Sequence, residues 1–369
     1  TVTTRSMKDA MIETTSLFKI TPISTSRLPQ VDFENLTFGR TFSDHMFTMD
    51  FEDGKWQQGR IEPYGPMTVS PASMVFHYGQ AIFEGMKAYR QADGSVSLFR
   101  PGRNIERFNT SAERMCMPEV NPQVFMDALV QLLSMDESWV PGGEGASLYI
   151  RPFMIATDSF VGVRPSERYT FSIFTCPVNA YYKDPVKVKV ETKYTRAAPG
   201  GTGYAKAAGN YAGSLYPSKL AQELGFHQLL WTDAIEHKYI EESGTMNAMF
   251  VIDGKLTSPH TSETILSGVT RDSVLALARD LGIPVEERRI AVEELREGLK
   301  SGKVTEAFGV GTAATIAPMA LIAFESEELS LPEVSDWKVA PQISTELDAL
   351  RRGRIEDRFG WNIPLYSVL

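Results

Sequence analysis

The stretch Gly200-Gly-Thr-Gly-Tyr-Ala-Lys-Ala-Ala-Gly-Asn-Tyr211 decides how this chain is read. One lysine, Lys206, stands in a run of glycines and alanines. Small residues on both sides let a backbone approach a flat ligand closely. No Asp or Glu lies within several positions to keep the amine paired and protonated. An amine that condenses with an aldehyde must shed its proton easily, and desolvation in a tight, uncharged loop favours that. A lysine in a loop is ordinarily just solvated, so the weight rests on these surroundings. The competing reading is a phosphate-cradling loop, but Ala207 follows the lysine where that motif requires Ser or Thr.

Further along, Tyr239-Ile-Glu-Glu-Ser-Gly-Thr-Met-Asn247 places Glu242 after an apolar run and before Gly244. Its side chain can point into a cleft at a strand end, or it is a surface Glu at a turn. A pyridoxal cofactor needs such a carboxylate beside its ring nitrogen, because a protonated ring withdraws electrons from the substrate Cα. Two segments offer phosphate donors. Gly268-Val-Thr-Arg271 stands directly before a helix pattern, where free N–H groups and the helix dipole favour an anion. Gly309-Val-Gly-Thr-Ala313 is a glycine-flanked turn that also mimics a Gly-x-Gly-x-x-Ala dinucleotide fingerprint. It does not open a βαβ unit, however, and Pro318 interrupts the helix which that fingerprint requires.

In the first half, Phe76-His-Tyr-Gly-Gln-Ala-Ile-Phe-Glu-Gly-Met-Lys-Ala-Tyr89 and Ser147-Leu-Tyr-Ile-Arg-Pro152 carry aromatic hydroxyls. Arg151 follows a strand-like run, where an unpaired guanidinium is costly to bury. It either pairs with a protein carboxylate or serves an anionic substrate. His77 reads as a structural hydrogen-bonding residue.

The 369 residues suit two domains better than one core, and the 43% apolar and 22% charged shares are those of a soluble globular protein. A formal net charge of −9 with no local Lys/Arg cluster argues against a nucleic-acid groove. Cys116 and Cys176 are far apart, each in an apolar stretch, and read as buried reduced thiols. No metal site is expected. No apolar leader or run of 18 apolar residues occurs, so the expectation is a soluble, cytoplasmic protein without a membrane partner.

Residues 1–35 read as an irregular arm. From 36 to 176 the pattern predicts a small α+β domain, with Asp-Gly hairpins at Asp53-Gly54 and Asp93-Gly94. Helices are predicted from Pro101, with Ile105, Phe108, Ala112 and Met115 on one face, and from Asn121-Pro122. Strands are predicted over 147–155 and 169–176. Residues 177–190 are the linker, opened by the proline-rich Pro177–Pro185 stretch. From 191 to 369 lies a larger domain, also α plus β and without strict βαβ alternation. It has a helix around 215–224, an Asp253-Gly254 hairpin and an amphipathic helix over 270–281.

Together these stretches resemble the branched-chain aminotransferases among the fold-type IV pyridoxal-phosphate enzymes. The resemblance runs from about Leu36 to Phe324 through Phe83-Glu-Gly-Met-Lys-Ala, Ser147-Leu-Tyr-Ile-Arg-Pro, the Lys206 loop, Glu242-Ser-Gly-Thr-Met-Asn and Gly268-Val-Thr-Arg. It implies a mixed α/β two-domain fold and pyridoxal 5′-phosphate as cofactor. Lys206 then forms the Schiff base and shuttles the proton, Glu242 meets the ring nitrogen, and Tyr211 meets the phenolic oxygen. Arg107, Val269, Thr270 and Thr312 meet the phosphate, with Ser243, Gly244, Thr245, Gly268 and Gly311 around the cofactor. The substrate carboxylate lies against Thr312-Ala313 and Tyr78. Phe83, Tyr149, Tyr181 and Ala313 shape the side-chain pocket, and Arg151 accepts the γ-carboxylate of glutamate. An apolar wall with tyrosine hydroxyls and one reserve cation suits a pocket that must seat both an aliphatic and a charged side chain. A homodimer is implied too. Mammalian members carry a Cys-x-x-Cys pair where this chain has Ala314 and Ala317, which excludes that thiol switch and suggests a microbial source. Rival readings are a D-amino-acid aminotransferase or aminodeoxychorismate lyase of the same fold type, a nicotinamide-dependent oxidoreductase built on the Gly309 turn, and a non-catalytic binding module.

Overall fold

A computed structural model describes residues 17–180 and 184–367. The alternating run from His45 is a strand, His45–Glu52, turned back by Asp53-Gly54 onto Lys55–Trp56. Asp53 and Gly54 both sit at positive φ, 52° and 76°, as do Asp253 and Gly254 at 49° and 75°. Tight hairpin turns demand that geometry, which explains the recurrence of Asp-Gly.

Ten strands form the first sheet, in the order 19–20, 60–63, 45–52, 169–178, 147–156, 86–90, 96–99 and 362–364, with 55–56 and 81–83 paired at its side. Only the 19–20/60–63 pair is parallel. The helices Pro101–Arg114 and Pro122–Met135 cover this sheet. Asn121 caps the second by accepting from the N–H groups of Gln123 and Val124. Phe47, Phe108, Phe125 and Phe171 meet at its centre, with ring centroids 4.9–5.9 Å apart. All four are fully buried, and truncating such a ring costs on the order of 3–5 kcal/mol.

In the second sheet, of nine strands, six close on themselves. Val186–Val190 lies parallel between Gln228–Thr232 and Thr315–Ala323; Val304–Gly311, Met246–Ile252 and Ile240–Ser243 complete the ring through antiparallel pairs. The barrel shuts where Glu242 faces Asn247 and Ser243 faces Met246. Closure leaves no open edge along that seam. The helices Val269–Asp280 and Val339–Arg351 pack outside it through Val274, Leu277, Ile343 and Leu347. Because Val186–Val190 and Gln228–Thr232 are parallel, a long crossover must join them. That crossover is the Lys206 loop and the helix Ala208–Glu223.

Several expectations need correcting. The helix after Lys206 begins at Ala208, well before Leu215; Gly209, Gly213 and Pro217 mask its helical signal, and Asn210 pins its first turn to the carbonyls of Thr202 and Ala205. The connection between the sheets falls between Val178 and Val186, with Pro177 still in a strand. At the C-terminus, Asn362–Pro364 returns to pair with Val96–Phe99, and Leu365 is buried in the first core. Cys116 is exposed rather than buried, held at φ 55° just past the Pro101 helix, while Cys176 is buried; both are free. Gly309-Val-Gly311 ends a strand that turns straight into the antiparallel Thr315–Ala323, so no helix follows it and the dinucleotide reading fails. Gly309 serves packing instead: a Cβ there would strike the Met246 methyl at 2.7 Å. No helix among the described residues is long and apolar enough to cross a membrane.

Candidate active site

The cleft between the two sheets is built on the Lys206 loop, and the first sheet holds that loop in place. Lys206 N–H donates to Ser111 Oγ (2.9 Å), its carbonyl accepts from Phe83 N–H (3.1 Å), and Ala207 bridges to Ile82. Arg114 donates to the carbonyls of Gly200 and Gly201, and Arg196 to those of Gly203 and Thr264. The loop's small residues therefore serve its own packing. A Cβ on Gly203 would fall 2.5 Å from Ala197 Cβ and 3.0 Å from Thr264 Cα, and none of Gly200–Gly203 borders the cleft.

Lys206 Nζ points into the cleft and donates to Tyr211 Oη at 3.0 Å; it lies 4.9 Å from the centre of the Phe83 ring. No carboxylate among the described residues lies within 4.0 Å of it. Glu242, from the strand at the barrel seam, borders the same cleft and is 4% exposed. Its Oε1 accepts from Leu266 N–H at 2.7 Å. Its Oε2 lies 2.9 Å from Arg196 Nε, an ion pair by proximity, since that N–H is not aligned as a hydrogen bond. Burial pushes the Glu242 carboxyl above the ordinary carboxylate range, and the Arg196 guanidinium opposes it.

Gly244-Thr245 is the two-residue turn after Glu242, with Gly244 at φ 57°, and both residues border the cleft. Ser243 does not. Alternate strand residues point to opposite faces and Glu242 takes the cleft side, so the Ser243 hydroxyl is turned away, buried without a partner among the described residues. Opposite lie Gly268, Val269 and Thr270, at the start of the Val269–Asp280 helix. No side chain caps that helix, so its first N–H groups are open to an anion. A Cβ on Gly268 would collide with the Asn247 side-chain oxygen, so only glycine leaves this corner free.

Arg107 borders the cleft, but two of its nitrogens grip Glu84, at 2.7 and 2.8 Å, and a third reaches the Ser267 carbonyl at 3.0 Å. Of five N–H groups, two remain for a ligand. Fully buried Glu84 stays ionised, because Arg107 overcomes the burial that would raise its carboxyl and holds it below the usual range. Gly311 and Thr312 border the cleft from the turn after Val304–Gly311, with Thr312 Oγ1 donating to Gly85 O at 3.1 Å. Ala313 faces away, its carbonyl taking a hydrogen bond from Lys87 Nζ at 3.1 Å.

Phe83, Tyr149 and Arg151 form a layer beside the lysine. Phe83 packs on Tyr211 with centroids 4.9 Å apart, Arg151 lies 4.5 Å over the Phe83 ring, and its Nη2 donates to Tyr149 Oη at 2.7 Å. No carboxylate among the described residues pairs with Arg151, and its Nε is buried without a partner. Gly85 makes room here, because a Cβ would land on the Tyr149 hydroxyl. Tyr78 is not brought to the cleft. It ends the one-turn helix Val75–Tyr78, is 41% exposed, and donates to the Val161 carbonyl. His77 hydrogen-bonds Pro71 O, the structural part expected of it. Tyr181 lies outside the described residues. The sequence reading missed Arg196, Glu84, Asn210, Ser214 and Asn247. Glu84 stood inside a quoted motif, yet nothing local announced its pairing with Arg107.

The donor set fits the expected cofactor: an amine, a facing buried carboxylate, a phenol beside the amine, and an uncapped helix N-terminus with an arginine next to it. Residues 81–322 match the amino-transferase class IV family model. The chain belongs to the class IV aminotransferase family. Branched-chain-amino-acid aminotransferase 2 of Bacillus subtilis is 46% identical over 350 residues, covering 94% of this chain and 96% of that one. A crystal structure of the Escherichia coli branched-chain amino acid aminotransferase superposes with TM-score 0.71 at 27% identity, covering 87% of this chain and 99% of that chain. That of Thermobaculum terrenum, in its PLP-form, gives TM-score 0.69 at 24% identity over 87% and 98%, a likeness of fold. The family's two-sheet architecture is the one described above, and its matched segment spans every cleft residue named so far.

Proposed function

We propose that this chain transfers the amino group between a branched-chain L-amino acid and 2-oxoglutarate, with pyridoxal phosphate held on Lys206. The observation that carries the reading is the Lys206 amine, hydrogen-bonded among the described residues only to Tyr211 Oη and sharing one cleft with buried Glu242. Pyridoxal phosphate, when bound, supplies an electron-withdrawing ring that stabilises negative charge at the substrate Cα. Glu242 would lie beside the ring nitrogen and hold a proton there. Tyr211 Oη orients the Lys206 amine, and Lys206 Nζ takes the proton from the substrate Cα. The N–H groups of Val269 and Thr270, with the free donors of Arg107, hold the phosphate. Phe83 and Tyr149 form the wall for an aliphatic side chain.

Arg151 is the reserve cation for glutamate. Replacing it with Met raises KM for 2-oxoglutarate about tenfold to hundredfold, the worth of one charge-assisted hydrogen bond. KM for leucine barely moves. Steady-state kinetics with each substrate checks this, and equal changes in both would refute the assignment.

A spectrum tests the function as a whole. The protein loaded with pyridoxal phosphate absorbs in the violet-to-blue, and L-leucine bleaches that band while D-alanine does not. Bleaching by the D-isomer alone would hand the chain to a D-specific relative. A protein that takes up no cofactor would leave it a binding module.

We further propose a cytoplasmic homodimer with a small N-terminal and a larger C-terminal domain. Two free, unpaired thiols suit a reducing compartment. Phe76, Tyr78, Phe160, Val161 and Val163 expose 41–84% of their surfaces in one region, joined by the Ser73–Ser159 bridge. An apolar patch of that kind suits a partner copy, which would bring Tyr78 to a neighbouring site.

A further inference from the structure

Behind the Thr312-Ala313 turn lies a second basin of about 400 Å³, within the range that admits small molecules. Gly311 and Thr312 border the active-site cleft, and Ala313 to Thr315 border this basin, so the turn is the wall between them. Its other walls are Lys87 and Tyr89 of the strand Met86–Arg90, Ser147, and the C-terminal end of the Val339–Arg351 helix.

The chemistry of the lining is one-sided. Four cations, Lys87, Arg351, Arg352 and Arg354, face two carboxylates, Asp348 and the outlying Glu144. Asp348 is shared among three of them, at 2.9 Å from Arg352, 3.7 Å from Arg354 and 3.9 Å from Arg351. Lys87 has no carboxylate within 4.0 Å among the described residues and leans on the Ala313 carbonyl alone. Arg351 Nε and Ser147 Oγ are buried with no hydrogen-bond partner among the described residues, on residues 7% and 1% exposed. Thr315, a β-branched residue at φ 51°, holds a backbone that such residues rarely adopt, and its hydroxyl accepts from Arg351 at 3.3 Å. Buried cations in excess of their partners, beside unsatisfied donors, are costly in a chain whose net charge is −9. An anion in the basin offsets the excess positive charge of its lining.

We infer that this basin is a second ligand site, separate from the catalytic cleft, for a small oxyanion carrying two negative charges, a phosphate or a dicarboxylate. Lys87, Arg351 and Arg352 face it with positive charge. Burial and the neighbouring guanidinium groups push the Lys87 ammonium down to about 7, so a bound anion restores its proton.

Calorimetry on the protein saturated with pyridoxal phosphate tests the site without requiring turnover. Inorganic phosphate and malonate are titrated separately at pH 8, each in two buffers of different ionisation enthalpy. The expected result is saturable one-site binding with proton uptake, weakened at least about tenfold in Lys87→Gln. Ala349→Met fills the basin without removing a charge and weakens binding equally, which guards against a misfolded charge variant. Whichever anion binds identifies the source. Absence of saturable binding for both, or binding that neither substitution disturbs, would overturn the inference.

Discussion

Lys206→Ala loses transamination by at least about 10⁴-fold while the far-ultraviolet circular dichroism spectrum stays that of the parent. The fold survives because the backbone at 206, not its side chain, ties the loop to Ser111 and Phe83. Activity does not, because no other amine borders the cleft among the described residues. Arg107 and Arg196 are the only other cations bordering the cleft among the described residues, and guanidinium groups do not lose a proton at working pH. Lys206→Arg therefore fails as badly as Lys206→Ala, although it keeps the charge. Single-turnover bleaching with L-leucine reads both variants. A Lys206→Arg enzyme within a factor of ten of the parent would sink the assignment, because charge rather than a transferable amine would then suffice.

Glu242→Gln lowers kcat by about 10²–10³-fold, a loss of roughly 3–4 kcal/mol of transition-state stabilisation. Gln keeps the shape and can still accept from Leu266 N–H, so the loss isolates the charge. The neighbouring arginine supplies a test with a sign. In the role proposed for it Glu242 has to be ionised, and burial has raised its carboxyl while Arg196 pulls it back down. As pH falls through that raised value the carboxylate takes a proton and the rate drops, giving an acid limb. Arg196→Met removes the largest influence opposing burial and leaves the Leu266 N–H, Lys206 and Arg107, so the carboxyl rises further and the limb moves to higher pH. The profile of kcat/KM for leucine against pH measures it. A limb that stays in place, or moves toward acid, would show that Arg196 does not act on the carboxylate.

What could be read from residues in order is uneven for physical reasons. The Asp-Gly hairpins and the two helices of the first sheet were legible because local sterics and a 3.6-residue apolar repeat act within a few positions. The helix after Lys206 was not, since two glycines and Pro217 weaken its local signal and tertiary contacts outvote it. Site residues divide along the same line. Lys206, Tyr211, Glu242 and the Gly268–Thr270 helix start sit in short motifs whose side chains act within their own element. Arg196 and Glu84 act on partners 46 and 23 positions away, as Glu242 and Arg107, and no window of sequence contains both members. Ser243 and Ala313 do not border the cleft, because neighbouring residues of a strand or tight turn face opposite sides.

The order of residues alone determined the lone lysine of the cleft, its unacidic loop, the turn chemistry and the apolar faces of the main helices, because each depends on neighbours along the chain. Only the folded chain decided that six strands close into a barrel at Glu242 and Asn247. Folding likewise returned the C-terminal strand to the first sheet and gave Arg107 and Glu242 partners of opposite charge. It also raised four cations around a second basin. Those outcomes are set by which surfaces exclude water together, a property of pairs of distant segments that no single segment carries.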